Sequence, residues 1–182
     1  MNVTLLCTRK TLDQYPWPRI AAVPDRGAHT QPVFLRWYCN VISLRRRPGL
    51  LLVHEQSLFS FLIYPFHSAD VMHIRELFRS SLRRALSMES VSEDLLQVID
   101  GISEIVVGAA RNRSVLGCMN DIRSRYEVNV YGQYGHHELD GPLQSEITHR
   151  VNDCPWVKHK FYAHEEFPRQ LREFVARNTP ER

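Results

Sequence analysis

Residues 111–121 combine side chains and backbone features that suit the binding of an anion. Arg111 and Arg113 stand just before Ser114, a residue type that often caps the first turn of a helix. A helix N-terminus presents unpaired backbone N–H groups and a partial positive charge, which add to the attraction of the two arginines. We therefore expect an anion-binding or phosphate-binding site built from Arg111, Arg113, Ser114, Gly117 and Asn120.

The same residues also fit a purely structural role. Ser114 can serve only as a helix cap, Arg113 can pair with Asp121, and Gly117 can let the helix pack tightly against a sheet. The segment lacks the Gly-x-x-x-x-Gly-Lys pattern of a P-loop, so hydrolysis of a nucleoside triphosphate has no support in the sequence.

A catalytic alternative places a histidine beside the same arginines. Cleavage of a phosphodiester needs a general acid or base with a pKa near 7, and cations that hold the phosphate. His54, His67 and His73 are the candidate histidines, and Asp121 is the residue that could orient one of them. Cys118 lies near a helix N-terminus, where thiolates are favoured, but a buried packing role fits it better because no Cys-His-Asn pattern accompanies it.

Metal-ligating residue types recur every five residues near the C-terminus, at His149, Cys154, His159 and His164. Four such side chains are enough for a tetrahedral zinc site. A spacing of five, however, turns a helix by about 500° and moves a strand residue to the opposite face, so only a loop could gather all four. We therefore predict no metal site and no cofactor, and interpret these residues as surface side chains.

Arginines elsewhere in the chain form two further basic groups. Arg75, Arg79 and Arg83 recur every four residues, so they share one ridge of a predicted helix. Their mutual repulsion calls for either an external anion or compensation by acidic residues such as Glu76. Residues 45–47 add three more arginines at a predicted turn, where solvent exposure is the simplest interpretation.

The aromatic residues are compatible with two kinds of partner, a single-stranded nucleic acid or a protein. If the basic groups and the 111–113 arginines share one side, with Trp37, Tyr38 or Tyr126 nearby, the surface suits single-stranded nucleic acid. If there is no anion site, Trp37 or Tyr38 forms an exposed apolar patch that binds a protein partner. The salt dependence of binding distinguishes a nucleic-acid partner from a protein partner, because contacts to phosphate weaken steeply as the salt concentration rises.

Apolar periodicity and turn residues predict the elements that position these side chains. The predicted strands are residues 3–7 at a sheet edge, 34–44 and 50–54 as a hairpin with its turn at 45–49, and 104–110. The predicted helices begin at the caps Ser68, Ser92 and Ser114, and a last one covers residues 167–177. Prolines and glycine make residues 13–32 a predicted loop.

The predicted fold is a single α+β domain with a small, mostly antiparallel sheet packed against two or three helices. We assign residues 1–130 to the α+β domain and residues 131–182 to an irregular C-terminal extension with a short final helix. The 182 residues are 43% hydrophobic and 24% charged, which is typical of a globular protein. The net charge of +3 is too small to indicate a basic tail that binds nucleic acid.

The cellular location is predicted from the lack of sequence features that are typical of membrane-spanning or secreted proteins. The longest apolar run, residues 58–66, is far shorter than the roughly 20 residues of a membrane span, so no membrane partner is expected. The N-terminus does not resemble a secretory signal, and the four cysteines form no Cys-x-x-Cys pair. These observations favour a cytoplasmic protein with reduced thiols.

Residues 112–121, Asn-Arg-Ser-Val-Leu-Gly-Cys-Met-Asn-Asp, resemble the signature of a family of small uncharacterised bacterial proteins. Weaker similarity extends over residues 7–10 and residues 37–61, whereas the loop at 13–32 and the tail after Tyr131 depart from the family. The resemblance implies a bacterial origin and a shared fold, but no activity and no catalytic residue.

We therefore expect a non-enzymatic binding or regulatory module that recognises an anionic partner, nucleic acid or phosphate, through residues 111–121. A phosphodiester-cleaving or phosphate-handling enzyme that uses a histidine and Asp121 is the alternative.

Overall fold

A computed structural model describes residues 1–17, 32–135, 137–156 and 160–178. Its main sheet has five strands in the order β4-β3-β2-β1-β5. The strands are β1 (Asn2–Cys7), β2 (Arg36–Leu44), β3 (Arg47–His54), β4 (Ser60–Ile63) and β5 (Glu104–Ala109), and a separate small hairpin pairs β6 (Pro155–Trp156) with β7 (Phe161–Tyr162).

Helices lie on this sheet and confirm the α+β class. They are α1 (Arg9–Gln14), α2 (Ile74–Leu86), α3 (Glu93–Asp100), α4 (Arg113–Val128), α5 (Gly141–Asn152) and α6 (Ala163–Asn178). Short 3-10 turns cover Val33–Leu35 and Ser68–His73, and a π-turn, Asn129–Gln133, extends α4. Within the described residues, no helix combines the length and the apolar character needed to cross a membrane.

The main sheet is mixed, so the prediction of a mostly antiparallel sheet is wrong for half of it. β2, β3 and β4 pair antiparallel, but β1 lies between β2 and β5 and runs parallel to both. β1 was expected at an edge, yet it is buried from Val3 to Cys7. A strand covered on both faces carries a nearly continuous apolar run, as β1 does, and this run was the signal for a central position.

The turn between β2 and β3 is tighter than the predicted turn at residues 45–49. Arg45 and Arg46 alone form it, with φ angles of 49° and 62°, and β3 then begins at Arg47. Two left-handed residues give the twist that a two-residue hairpin needs. Gly49 therefore lies inside β3, where an added Cβ would come within 2.8 Å of Tyr64 Cδ2.

Consecutive residues of β2 show how both faces of the sheet are covered. Trp37 packs against Phe78 of α2 and Phe167 of α6, with ring centroids 5.5 and 5.3 Å away. Tyr38 points to the other face, where its hydroxyl accepts a hydrogen bond from the Asn112 N–H (3.2 Å) just before α4. Each of these aromatic residues is only 2% exposed, so the predicted exposed patch of Trp37 or Tyr38 is wrong. Tyr126 is also fully buried.

The segment after residue 130 is not irregular, because it contains both α5 and α6. Asn152, in the last turn of α5, accepts a hydrogen bond from the Ser60 N–H and donates one to the Ser60 carbonyl, each at 2.8 Å. This double contact attaches α5 to the outermost strand, β4. α5 was missed in the sequence because Gly141 and Pro142, which resemble a break, are its first two residues, after the cap Asp140.

Candidate anion-binding site at the edge of the sheet

β1 and β5 end side by side, and this pairing brings two basic segments together. Cys7 lies opposite Ala109, and the Ala110 N–H donates to the Cys7 carbonyl (2.9 Å). Because the two strands are parallel, the residues that follow each of them emerge at the same edge of the sheet. We call the surface formed by residues 8–10 and 110–113 the basic edge.

Asn112, not Ser114, caps α4, which corrects the sequence prediction. The side-chain oxygen of Asn112 accepts hydrogen bonds from the N–H groups of Ser114 (3.0 Å) and Val115 (3.4 Å). Arg113 is therefore the first helical residue and Ser114 the second. Since two of the terminal N–H groups already have a partner, an anion at this end would meet mainly the arginine side chains.

The other side of the basic edge is the start of α1, which sequence reasoning missed. Thr8 caps this short helix, and its hydroxyl donates to the Asn40 side-chain oxygen (2.8 Å). The Thr11 hydroxyl accepts from the Val41 N–H (2.8 Å), so α1 is attached to β2 at two points. A threonine followed by polar helix formers was the available signal.

Cations from both segments are exposed at the basic edge. They are Arg9, Lys10, Arg111 and Arg113. Arg9 forms an exposed ion pair with Asp13 (2.8 Å), whereas the side chain of Arg113 forms no hydrogen bond or ion pair among the described residues. The predicted Arg113–Asp121 pair is therefore absent from the described structure.

α4 has a buried apolar face and an exposed face, as the apolar stripe in the sequence predicts. The inward stripe, Val115, Met119, Ile122 and Tyr126, is buried. The outer face of α4, which we define as Arg113, Gly117, Asn120, Asp121, Ser124 and Val128, is exposed. Among the described residues, no atom outside the backbone of α4 and the two chain neighbours lies within 4 Å of a Cβ added at Gly117, so the interpretation of this glycine as a tight packing contact is wrong.

The hydroxyl of the buried Tyr38 supports the loop that carries Arg111 and Asn112. Arg36 Nε and Glu55 Oε2 form an ion pair (2.8 Å), and their side chains are only 12% and 13% exposed. Burial, and then the charge of Glu55, raise the pKa of Tyr38. Tyr38 therefore stays a neutral phenol, whose oxygen can accept the hydrogen bond from Asn112.

The candidate catalytic residues occupy three separate places. His54 lies in the core, where Nδ1 accepts from the Ser57 N–H (3.2 Å) and Nε2 donates to the Phe34 carbonyl (2.9 Å). Burial lowers the pKa of His54 to about 4, so this histidine is neutral near pH 7. His73 is exposed just before α2, on the face of the sheet that Trp37 occupies. Asp121 is exposed on α4, at the opposite face.

The candidate metal ligands do not form a metal centre in the described part of the chain. His149 Nδ1 lies 3.1 Å from Glu89 Oε1, and its ring centroid is 5.9 Å from that of His164. Cys154 donates weakly to the Arg150 carbonyl (3.5 Å), and His159 lies outside the described residues. Across residues 1–17, 32–135, 137–156 and 160–178, no three His, Cys, Asp or Glu side chains are grouped to hold an ion.

The arginine ridge of α2 is compensated within the molecule. Arg75 pairs with Glu76, Arg79 with Asp100 (3.7 Å), and Arg83 with both Asp100 and Glu93 (2.8 Å each). Arg75 also binds the carbonyl of Ser103, before β5, whereas Arg111 follows β5. A six-residue strand spans about 20 Å, so the ridge and the basic edge do not form one surface.

Comparison with known proteins identifies a family without an assigned activity. A family model described as a domain of unknown function, DUF6933, matches residues 4–170. No curated protein and no solved structure matches the chain. Because the match covers both segments of the basic edge and helices α1 to α5, the chain belongs to the DUF6933 family.

Proposed function

We propose that this protein is a non-catalytic binding module that recognises a phosphate-bearing partner, with nucleic acid as the first candidate, at the basic edge. The observation that carries the proposal is the pairing of β1 with β5, which brings Arg9 and Lys10 to the same edge as Arg111 and Arg113. These four cations come from segments about 100 residues apart in the sequence.

The chemistry of these side chains supports a phosphate as the ligand. A guanidinium group offers parallel N–H donors that match two oxygens of a phosphate, and lysine adds a mobile point charge. All four side chains are exposed, so a chain of phosphates could contact several of them together. Contacts of this kind release counterions, and binding should therefore weaken as salt concentration rises.

Binding without catalysis fits the positions of the candidate acids and bases. His54 is buried with both ring nitrogens hydrogen-bonded, and His73 lies on the opposite face of the sheet from Asp121. A general acid or base must come within hydrogen-bond reach of the group on which it acts. Neither histidine is placed to do so at the basic edge.

The first test compares nucleic acid that co-purifies with tagged wild-type protein and with an Arg111→Glu/Arg113→Glu variant. A matched control, Arg172→Glu/Arg177→Glu, makes the same change of charge at exposed positions of α6. We expect wild type and control to retain nucleic acid and to release it at high salt, and the Arg111→Glu/Arg113→Glu variant to lose it. Equal amounts on all three proteins, or none on any, would contradict the proposal.

A further inference from the structure

A cleft opens between α6 and the 3-10 turn Val33–Leu35. Its volume of about 620 Å³ falls within the roughly 300–1,000 Å³ that is typical of sites for small molecules. The turn directly precedes β2, whereas the basic edge follows the ends of β1 and β5. Because β1 and β2 are parallel, the cleft and the basic edge lie at opposite ends of these strands.

Four phenylalanine rings form a stack that leads from the core into this cleft. Phe167 stacks on both Phe59 and Phe34, with ring centroids 5.0 and 5.5 Å away and interplanar angles of 21° and 16°. Phe174 stacks in turn on Phe34, at 4.8 Å and 23°. Phe59 and Phe167 are buried. Phe34 and Phe174 are half-buried, and both line the cleft, so a planar ring that enters the cleft can extend the stack.

Amide side chains also line the cleft, those of Gln56, Gln170 and Asn178. Gln170 Nε2 donates to Glu166 Oε1 (2.6 Å), but Gln170 Oε1 is buried and accepts no hydrogen bond from the described residues. A buried acceptor without a donor costs free energy and is uncommon in folded proteins. A small rotation of this amide towards the cleft would let a donor on a ligand supply the missing hydrogen bond.

The charged side chains around the cleft are already paired with each other. Arg169 Nε donates to Glu166 Oε2 (2.9 Å), and the same guanidinium group forms an ion pair with Glu173. Arg177 Nη2 lies 3.7 Å from Glu173 Oε2. The two arginines are therefore balanced by two glutamates, which favours an uncharged ligand over a phosphate.

We propose that this cleft binds a neutral, planar nitrogen heterocycle, namely a purine base such as adenine. The ring stacks on Phe174 at the end of the four-ring stack, and its edge pairs with the amide of Gln170. A glutamine amide matches adenine because it accepts a hydrogen bond from the N6 amino group and donates one to N7. The inference goes beyond the proposed function, because it involves neither a phosphate nor the cations of the basic edge.

Isothermal titration calorimetry with adenine, which is uncharged at neutral pH, tests the proposal. Wild-type protein should bind the base saturably. Phe174→Leu keeps an apolar side chain but removes the planar ring, and it should weaken the affinity for adenine by about tenfold. Gln170→Leu removes the amide and should weaken the affinity by a similar factor. Phe174→Trp keeps a ring for stacking and should bind adenine at least as tightly as wild type.

Two controls separate this cleft from the rest of the molecule. Tyr162→Leu removes an exposed aromatic ring from β7 and should bind adenine like wild type. Arg111→Glu/Arg113→Glu should also bind adenine like wild type, so a failure of phosphate binding at the basic edge would leave this result unchanged. Wild-type protein that binds no adenine, or a Phe174→Leu variant that binds it as tightly as wild type, would overturn the proposal.

Discussion

The two halves of the five-stranded sheet differ in what they present to solvent. In the antiparallel half, β3 is buried from Gly49 to His54 and β4 is buried throughout. In the parallel half, β1 and β5 each lead into a helix at the same edge, where Arg111 and Asn112 are exposed between β5 and α4. The antiparallel half therefore lies mainly in the core, whereas the parallel half brings exposed cations from distant segments to the same edge of the sheet.

The comparison explains why similar residue types have different roles in the two halves. His54 is enclosed by aromatic rings in the antiparallel half, and Asn152 is fixed to the backbone of β4. Asn112 and Asn120 belong to the parallel half, where one caps a helix and the other faces solvent. Substitutions in the first half should change mainly stability, and substitutions in the second half mainly binding.

The largest expected effect is the loss of stability in acid caused by His54. Its pKa is about 4 in the folded protein and about 6.5 in the unfolded chain, so only the unfolded chain gains this proton between the two values. The free energy of unfolding should therefore fall as pH decreases from 6.5 to 4, by up to about 3 kcal/mol. Urea unfolding at several pH values measures it. In His54→Gln, the slope of the unfolding free energy against pH should correspond to about one proton fewer than in wild type. An unchanged slope would contradict the buried, neutral state of His54.

Asn152→Ala should give the next largest effect. The substitution leaves the Ser60 N–H and carbonyl without their amide partner inside the protein, which should destabilise it by about 2–3 kcal/mol. Asn120→Ala, an exposed position with the same chemical change, should alter stability by less than about 0.5 kcal/mol. Chemical denaturation of both variants measures the two losses of stability. Equal losses would contradict the structural role of the hydrogen bonds between Asn152 and Ser60.

Asn112→Ala should destabilise the protein by about 1 kcal/mol because α4 loses its cap. Ser114→Ala, two residues later, should have almost no effect because Ser114 is already inside the helix. Thermal unfolding of the two variants decides which residue is the cap. The opposite ranking would restore the capping role that the sequence suggested for Ser114.

Glycine substitutions provide the smallest but most specific contrast. Gly117→Ala should stabilise the monomer by about 0.5–1 kcal/mol, because the position is helical and open. Gly49→Ala should destabilise it, because the added Cβ would press against the Tyr64 ring and the Ile63 carbonyl. Chemical denaturation of both variants measures the two changes in the free energy of unfolding. A destabilising Gly117→Ala would mean that the glycine has a role inside the fold.

Local patterns in the sequence predicted much of the fold. Alternating apolar residues indicated the β2–β3 hairpin, and the apolar stripe from Val115 to Tyr126 identified the inner face of α4. The apolar run of β1 favours a central position, but its pairing with β5, about 100 residues later, was not predictable in this way. Local patterns define elements well, but they do not specify which elements become neighbours.

The candidate site shows the same limit. Arg111, Arg113, Ser114, Gly117 and Asn120 are all exposed, and their binding of an anion stays a prediction. Arg9 and Lys10 were missed, because only the β1–β5 pairing places them at the same edge. The cap was assigned to the wrong residue because Asn112 and Ser114 are both good caps, and spacing alone did not separate them.

Titration of a labelled single-stranded RNA at several salt concentrations tests whether the basic edge binds phosphates. For single strands, each phosphate contact contributes about 0.7 to the slope of log affinity against log salt. We expect Arg111→Ala/Arg113→Ala to weaken binding and to reduce this slope by about 1.4, whereas Arg172→Ala/Arg177→Ala on α6 should change neither. An affinity and slope that are the same in wild type and Arg111→Ala/Arg113→Ala would contradict it.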